Sequence, residues 1–296
     1  MLLRLLSVFP LTSAHSWLEQ AQRINASGFY NGYYGYPRHF VSRADPHFED
    51  AVMTNLLPSQ GRTQIEHEDQ VCLTPSSKRS TVYPRLYAAP GDFVALKYLE
   101  NGHVTQPGIP PGKPDYSGTV AVFARTQTAK TDPSLLEILS WSASGSLTSG
   151  RLLTAQPFDD GRCYQINSAS SVSVLRQYEF PNYDTLASGL TAIHEQWCEA
   201  IFRIPGDAPP NSTLLLYWIW SWPTLESNVT RAKDEFYTSC LDVSISSVIS
   251  TSPQWRPLPY QDPQRMAVKN FRQRAHAMDT HLMRPTREMG EPSQRD

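Results

Sequence analysis

Leu214-Leu-Leu-Tyr-Trp-Ile-Trp-Ser-Trp222 is the most apolar stretch of the chain. It is nine residues long, rich in aromatic side chains and followed at once by Pro223. That length is less than half of the roughly 20 apolar residues a helix needs to span a bilayer. Bounded by turn residues and aromatic in content, the run reads as a strand buried in a core. Similar strand signals recur on either side of it, at Asp69–Leu73, Asp92–Leu99, Gly118–Ala124, Arg162–Ile166, Ala200–Ile204 and Phe236–Val248. Turn-rich segments separate them, such as Gln106-Pro-Gly-Ile-Pro-Pro-Gly-Lys-Pro114 and Pro205-Gly-Asp-Ala-Pro-Pro-Asn211. Several short strands with this punctuation predict an all-β protein, an antiparallel β-sandwich of immunoglobulin or fibronectin type with long loops.

Composition agrees. Of 296 residues, 24 are proline and 14 are tyrosine, and only 18% are charged, against a usual quarter. The profile excludes a coiled coil, a collagen, a wholly disordered chain and a multispan membrane protein. Net charge is −2, and no basic stripe of the kind nucleic acid requires runs through the body of the chain. No GxGxxG or GxxxxGK[ST] fingerprint is present.

The start of the chain predicts its compartment. Arg4 gives a short positive region, Leu5–Leu11 an apolar core, and Thr12-Ser13-Ala14 a small-residue cleavage site. Residues 1–14 are therefore read as a signal peptide, 15–250 as the folded domain, and 251–296 as a mostly disordered tail in which Lys269–Arg284 could form a short helix. The charged end does not match a glycolipid-anchor signal. Four cysteines (Cys72, Cys163, Cys198, Cys240) allow two disulfides in any of three pairings. Sequons stand at Asn25, Asn211 and Asn228. Together these features predict a secreted glycoprotein.

Cleavage after Ala14 would make His15 the first residue. Its free amine and Nδ1 could then chelate one metal ion, and one further imidazole would complete a three-nitrogen set of the kind that suits copper. His103 is the best second imidazole. It follows the strand Asp92–Leu99 on a loop closed by proline and glycine. The other histidines lie among turn residues, in the tail, or, for His194, on a helix-like stretch. The long loop Gly28–Gly61 carries Tyr30, Tyr33, Tyr34 and Tyr36, rings that could form a flat platform for sugar faces or pack into turns.

With these residues in view, the chain resembles fungal lytic polysaccharide monooxygenases. The matching segments, in order, are His15-Ser-Trp17, Pro90-Gly-Asp-Phe-Val-Ala-Leu-Lys-Tyr-Leu-Glu-Asn-Gly-His103-Val and Glu235-Phe-Tyr237-Thr-Ser-Cys240. More closely, it is similar to a fungal secreted domain of unknown function. That likeness rests on His15-Ser-Trp17, Gly35-Tyr-Pro-Arg38, Glu100-Asn-Gly-His-Val104, Phe158-Asp-Asp-Gly-Arg-Cys-Tyr-Gln-Ile-Asn167 and Tyr217-Trp-Ile-Trp-Ser-Trp-Pro-Thr224, and it spans 15–250.

The resemblance implies a histidine brace of His15 and His103 holding one copper ion. It implies Tyr237 at the axial position and Glu235 as the outer residue that orients the oxidant, with Gln165 as a substitute. It implies the pairing Cys72–Cys240, which leaves Cys163–Cys198. The implied activity is oxidative cleavage of cell-wall polysaccharide at C1 or C4, fed by an external electron donor and carried out by a monomer. Glu235 and Tyr237 are two apart, so on a strand they share a face. The chain departs from those enzymes in two places. Val-Thr-Gln-Pro follows His103 instead of Gly-Pro, and the strand at 214–222 carries tryptophans where they often place a polar residue.

Two other classes compete. One is a non-catalytic secreted copper-binding or cell-wall-associated protein using the same brace; a crowded copper face would favour it, and an open aromatic face the enzyme. The other is a glycoside hydrolase or a metal-free carbohydrate-binding module. A hydrolase needs two carboxylates about 5–9.5 Å apart, and Asp159-Asp160-Gly161 reads better as a turn.

Overall fold

The apolar run at 214–222 is the centre of the larger of the two main sheets. In the computed structural model, which describes residues 15–59, 61–78, 82–106, 110–127, 131–185, 189–247 and 263–276, the chain forms these elements in order: β1 (Leu18–Ile24), β2 (Tyr30–Gly35), α1 (Asp50–Met53), β3 (Leu56–Leu57), β4 (Leu86–Ala88), β5 (Phe93–Tyr98), β6 (Thr119–Thr126), α2 (Leu135–Leu139), β7 (Arg151–Pro157), α3 (Ser171–Glu179), β8 (Asn182–Thr185), β9 (Thr191–His194), β10 (Cys198–Arg203), β11 (Thr213–Ser221), β12 (Phe236–Ile245) and α4 (Phe271–Arg274). The larger sheet runs β3-β12-β11-β6-β7, and the smaller runs β10-β5-β1-β2. Every pairing within these two orders is antiparallel; β4 adds to the far end of β12 in parallel. The protein is an all-β antiparallel sandwich.

β11 reads as a continuous apolar run because both of its faces are buried. Leu216, Trp218 and Trp220 point between the sheets, where they meet Leu18, Leu96, Val122, Ala200 and Leu241. Leu215, Tyr217 and Ile219 point the other way and are covered by Leu135 and Ile138 of α2. Alternation along a strand thus supplies two cores from one sequence. Burying large rings in this way dominates the energetics, since each removes 150–250 Å² from water.

The smaller sheet differs. Its inner face is apolar, but its outer face carries Gln22, Lys97 and Glu199, all buried. What covers them in part is chain that the sequence reading assigned to a disordered tail. Residues 263–276 lie across this face: Met266 bridges Phe29, Ala267 N donates to Gly28 O at 2.9 Å, and Val268, Phe271 and Ala275 pack on Ile24, Ala95 and Ile201. The segment carries few apolar residues, but those it has are the ones that dock. The rest of the assigned tail and residues 1–14 lie outside the described residues.

Other expectations are corrected. β2 is a strand inside the expected loop Gly28–Gly61, and β1 and β7 are strands outside the predicted runs. Asp69–Leu73 and Arg162–Ile166 contribute only single bridges, Gln70 to Ser134 and Tyr164 to Gln196. His194 lies on β9, not on a helix. Disulfides join Cys72 to Cys240 and Cys163 to Cys198. The first fastens a loop to the outer face of β12, and the second ties the segment after β7 to the start of β10.

Candidate metal centre

His15 and His103 are held by the same stretch of chain, the turn that leaves β5. Ser16 Oγ donates to Leu99 O at 2.6 Å, and the Asn101 side-chain amide donates to the carbonyl of His15 itself. Leu18 N then donates to Ser239 Oγ on β12 at 3.1 Å, so residues 15–18 are pinned to both sheets. The turn is built for this. Asn101 and Gly102 both have positive φ, 45° and 85°. A Cβ at Gly102 would lie 2.6 Å from the Gln106 side chain. His103 N donates to Glu100 O at 2.9 Å, and Ser117 Oγ donates to His103 O at 2.5 Å. The Glu100 carboxylate accepts from Val104 N, at 2.7 Å, and from Gln165 N, at 3.0 Å, which locks the turn to its neighbour loop.

The two rings rest on one aromatic stack. His15 lies 5.9 Å from the Tyr237 ring. Tyr237 stacks on Trp220 at 4.6 Å, its register partner across β12 and β11. The His103 ring meets Trp220 edge-on at 4.6 Å and Trp222 edge-on at 4.3 Å. Phe158 closes the stack behind Trp220 at 4.1 Å, and Trp220 Nε1 donates to Ser117 O at 2.7 Å. His103 is 7% exposed and Tyr237 3%. Burial pushes the Tyr237 phenol well above its ordinary range, and the nearby Glu235 carboxylate adds to the shift. Tyr237 therefore stays a neutral phenol.

Glu235 sits beside this stack but is already engaged. Its Oε2 forms an ion pair with Lys113 and accepts from Thr224 Oγ1 at 3.2 Å. Lys113 Nζ also donates to Trp222 O at 3.0 Å and stands 3.9 Å from the Trp222 ring centroid. Burial lowers the Lys113 ammonium, while Glu235 works in the opposite direction. Gln165 is exposed and engages Glu100 through its backbone.

The four loop tyrosines do not form the flat platform that the sequence reading allowed. Tyr36 is buried against Phe40 and Tyr83, at 4.6 and 5.6 Å, and Tyr34 leans on Tyr36. Tyr30 donates its hydroxyl to Glu199, and its ring lies 3.4 Å from Lys97 Nζ. Tyr33 is half-buried. The physical reason is that the Tyr/Gly run is an edge strand, β2, from which Tyr30 turns onto its own sheet, while Tyr36 just past it packs on Phe40 and Tyr83. The sequon asparagines all reach the surface: Asn211 and Asn228 are exposed and Asn25 is half-buried. Asp159-Asp160-Gly161 is the turn its composition predicted. Asp159 Oδ1 accepts from Gly161 N at 2.8 Å, and Asp159 also pairs with Arg176. Among the described residues the one cluster of three or more metal-type ligand groups is Asp159, Asp160 and Cys163, and its cysteine is in a disulfide. No helix of the described residues is long and apolar enough to cross a membrane.

Asn101, Lys113, Phe158 and Ser117 were not identified as site residues from sequence. Asn-Gly before His103 was the available signal for Asn101. Nothing local marks Lys113, which comes from a separate Pro/Gly segment.

An antiparallel sandwich with two histidines on a buried aromatic stack is thus the class of protein defined by fold and site. The model of a domain of unknown function, DUF7492, matches residues 12–271, and the chain belongs to that family. Compared with curated proteins, it finds no match. Similar solved structures include CvAA9A, at 15% identity over 62% of this chain and 63% of that one, with a TM-score of 0.28. A second is the extended catalytic domain of H. jecorina LPMO9A, also known as EG4, at 12% identity over 81% and 77%, with a TM-score of 0.34. A third is Cel61B of Hypocrea jecorina, a glycoside hydrolase family 61 member, at 11% identity over 60% and 57%, with a TM-score of 0.23. The chain spans less than two thirds of the length of CvAA9A. At these scores the likeness carries no weight for function, which rests on the residues of this chain.

Proposed function

We propose that the protein is a secreted mono-copper protein that acts on cell-wall polysaccharide as a monooxygenase-like enzyme. One observation carries the reading. His15 and His103 rest on the same Tyr237–Trp220–Trp222 stack, and the turn bearing one histidine bonds the carbonyl of the other. The donor set fits copper by chemistry: two imidazoles, plus an amine once cleavage exposes His15. Copper held there would supply one-electron redox chemistry for attack on a glycosidic carbon, with electrons from an external donor.

The chain's own residues do the positioning. Asn101 and Ser16 fix the backbone of His15, and Ser117 and Glu100 fix that of His103. Trp220 and Trp222 set the ring plane of His103 and keep water from one side of it. Tyr237 presents a neutral ring towards His15. Lys113 neutralises Glu235, so the pair adds little net charge beside the centre. Glu235 in this arrangement supports the packing of Trp222, and orienting an oxidant would require it to leave Lys113.

A second reading has its own support. His103 is almost enclosed by tryptophan edges, and the crowding favours a non-catalytic copper carrier built on the same brace.

The experiment is electron paramagnetic resonance of the secreted protein with one equivalent of Cu(II), after intact mass locates the first residue. An axial signal with nitrogen couplings that His103→Ala abolishes is expected. Oxidised oligosaccharides released on addition of a reductant would then separate enzyme from carrier. A free-copper spectrum, or a mature chain starting elsewhere than His15, would sink both readings.

A further inference from the structure

The smaller sheet ends, away from the histidines, in an open cleft of about 660 Å³ lined by Phe93, Arg203, Arg272, Gln273 and His276. Phe93 opens β5, and the His103 turn follows its other end. Five residue steps at about 3.3 Å put the cleft roughly 17 Å along the strand from Tyr98. It is a different place from the metal centre.

Among the described residues no carboxylate lines the cleft, although the whole chain carries a net charge of −2. Two guanidiniums flank the Phe93 ring, each with its carbon 5.6 Å from the ring centroid. Each is tethered through one nitrogen. Arg203 Nε donates to Gly91 O at 3.0 Å, and Arg272 Nη2 donates to Ala26 O at 2.8 Å. Gly91 has φ +90°, and a Cβ there would lie 3.4 Å from Arg203 Nη2, so the guanidinium lies close across bare backbone. Neither arginine has an ion-pair partner among the described residues. Tethering removes much of the rotamer freedom an arginine gives up on binding. Each keeps N–H groups for a carboxylate, whose planar geometry matches the guanidinium fork. The Phe93 floor rewards a ligand that also offers C–H surface.

From this geometry we infer a second binding site, for a carboxylated sugar: the uronic-acid units of an acidic polysaccharide. Arg203 and Arg272 take the carboxylate, and the half-buried Phe93 ring takes an apolar ring face. Arg272 belongs to α4, so the C-terminal segment that covers the smaller sheet also completes this site. The inference does not rest on the copper reading.

The test is calorimetric titration of the full chain with a galacturonic acid trimer at low ionic strength. A neutral galactose trimer and inorganic phosphate serve as comparison probes. Expected results are binding of the uronate, none of the neutral trimer, and phosphate at least tenfold weaker. Arg203→Gln combined with Arg272→Gln should weaken uronate binding tenfold or more with an unchanged melting temperature. His15→Ala should leave it unaltered. Equal binding of the neutral trimer or of phosphate would overturn the proposal. So would binding that survives in the double variant, or no uronate binding by the intact chain.

Discussion

The end of the sandwich that holds the two histidines and the outer face of its smaller sheet are both buried, yet they are built from opposite materials. The first is a stack of rings, Phe158, Trp220, Trp222 and Tyr237, in which Trp220 Nε1 donates to Ser117 O. The second is a polar network. Glu199 accepts from Arg162 Nη2 and Val268 N, each at 2.5 Å, and from Tyr30, while Lys97 Nζ reaches Gln22 Oε1 at 3.3 Å. A ring stack holds its shape through area and needs no particular protonation state. A buried charge network holds only while every partner is present, because each group has given up water. The same residue type follows these rules in each place. Tyr237 is part of a surface on which a histidine rests, and Tyr30 is a hydrogen-bond donor in a clasp.

Removing one member from each region should give similar losses for different reasons, and these are the largest effects expected. Trp220→Ala opens a cavity in the stack and should cost about 3–5 kcal/mol. Glu199→Ala leaves Arg162 buried beside a missing partner and should also cost about 3–5 kcal/mol. Denaturant midpoints measure both. The distinction lies in the second readout: Glu199→Ala should expose residues 263–276 to protease before global unfolding, and Trp220→Ala should not. Equal protection of that segment in both variants would mean that Glu199 does not clasp it.

The polar side should also carry a pH dependence between about pH 4.5 and 7. Glu19 on β1 is fully buried, and despite Arg43 at 2.7 Å, burial raises its carboxyl from 4.5 to about 7. In the folded state it holds a proton that the unfolded chain has already lost. The folded state therefore binds more protons between pH 4.5 and 7, and stability falls as pH rises through that window. The loss is on the order of 3 kcal/mol, complete above about pH 7. Glu19→Gln should remove this part of the slope while leaving one of the same sign from Glu199, whose carboxyl burial also raises. Urea midpoints at pH 5 and pH 7.5 compare the two proteins; identical slopes would assign the pH dependence to other groups.

The contrast also explains what could be read in the sequence. β11 was legible because its two faces are both apolar. β5, β6, β10 and β12 were legible for related reasons, with few polar residues between turn signals. β1 was not: Leu18-Glu-Gln-Ala-Gln-Arg-Ile24 places its apolar residues three apart, not two, since register shifts interrupt its pairing, and nothing local says that its polar residues are buried. β2 was hidden by its glycines, which made an edge strand resemble a loop. The docking of 263–276 depends on Glu199, Phe93 and Ile201, far away in sequence, so its low apolar content read as disorder. At the site, the candidates His15 and His103 are legible from donor chemistry and loop position, and Tyr237 from resemblance and strand alternation. Lys113 was not, since a lysine in a Pro/Gly segment carries no sign that a carboxylate and an indole await it 109 to 122 residues later.

That lysine gives the smallest effect and the finest division between the two regions. Lys113 and Glu235 are a charge pair inside the ring region, with side chains 7% and 12% exposed. If they act as the polar face does, Lys113→Met should destabilise the fold by leaving Glu235 unpaired. If the ring region follows its own rule, the pair matters mainly through Trp222. Losing Lys113 then frees the Trp222 ring and slackens His103, which the ring meets edge-on at 4.3 Å. Met keeps most of the stem that covers Trp222, and Glu235 can fall back on Thr224 and on Lys233 at 3.8 Å. With Glu235 kept on these partners, the expected loss of stability is about 1 kcal/mol, short of the several kcal/mol that a buried charge left with no partner would cost. Copper affinity, measured by competition with a chelator, should fall about tenfold, at the low end for partners that orient a metal ligand. Glu235→Gln, which keeps a group for Lys113 to bond, should change it less. A stability loss of several kcal/mol in Lys113→Met with copper binding intact would reverse the assignment, making the pair a structural clasp like Glu199 and leaving His103 held by its turn alone.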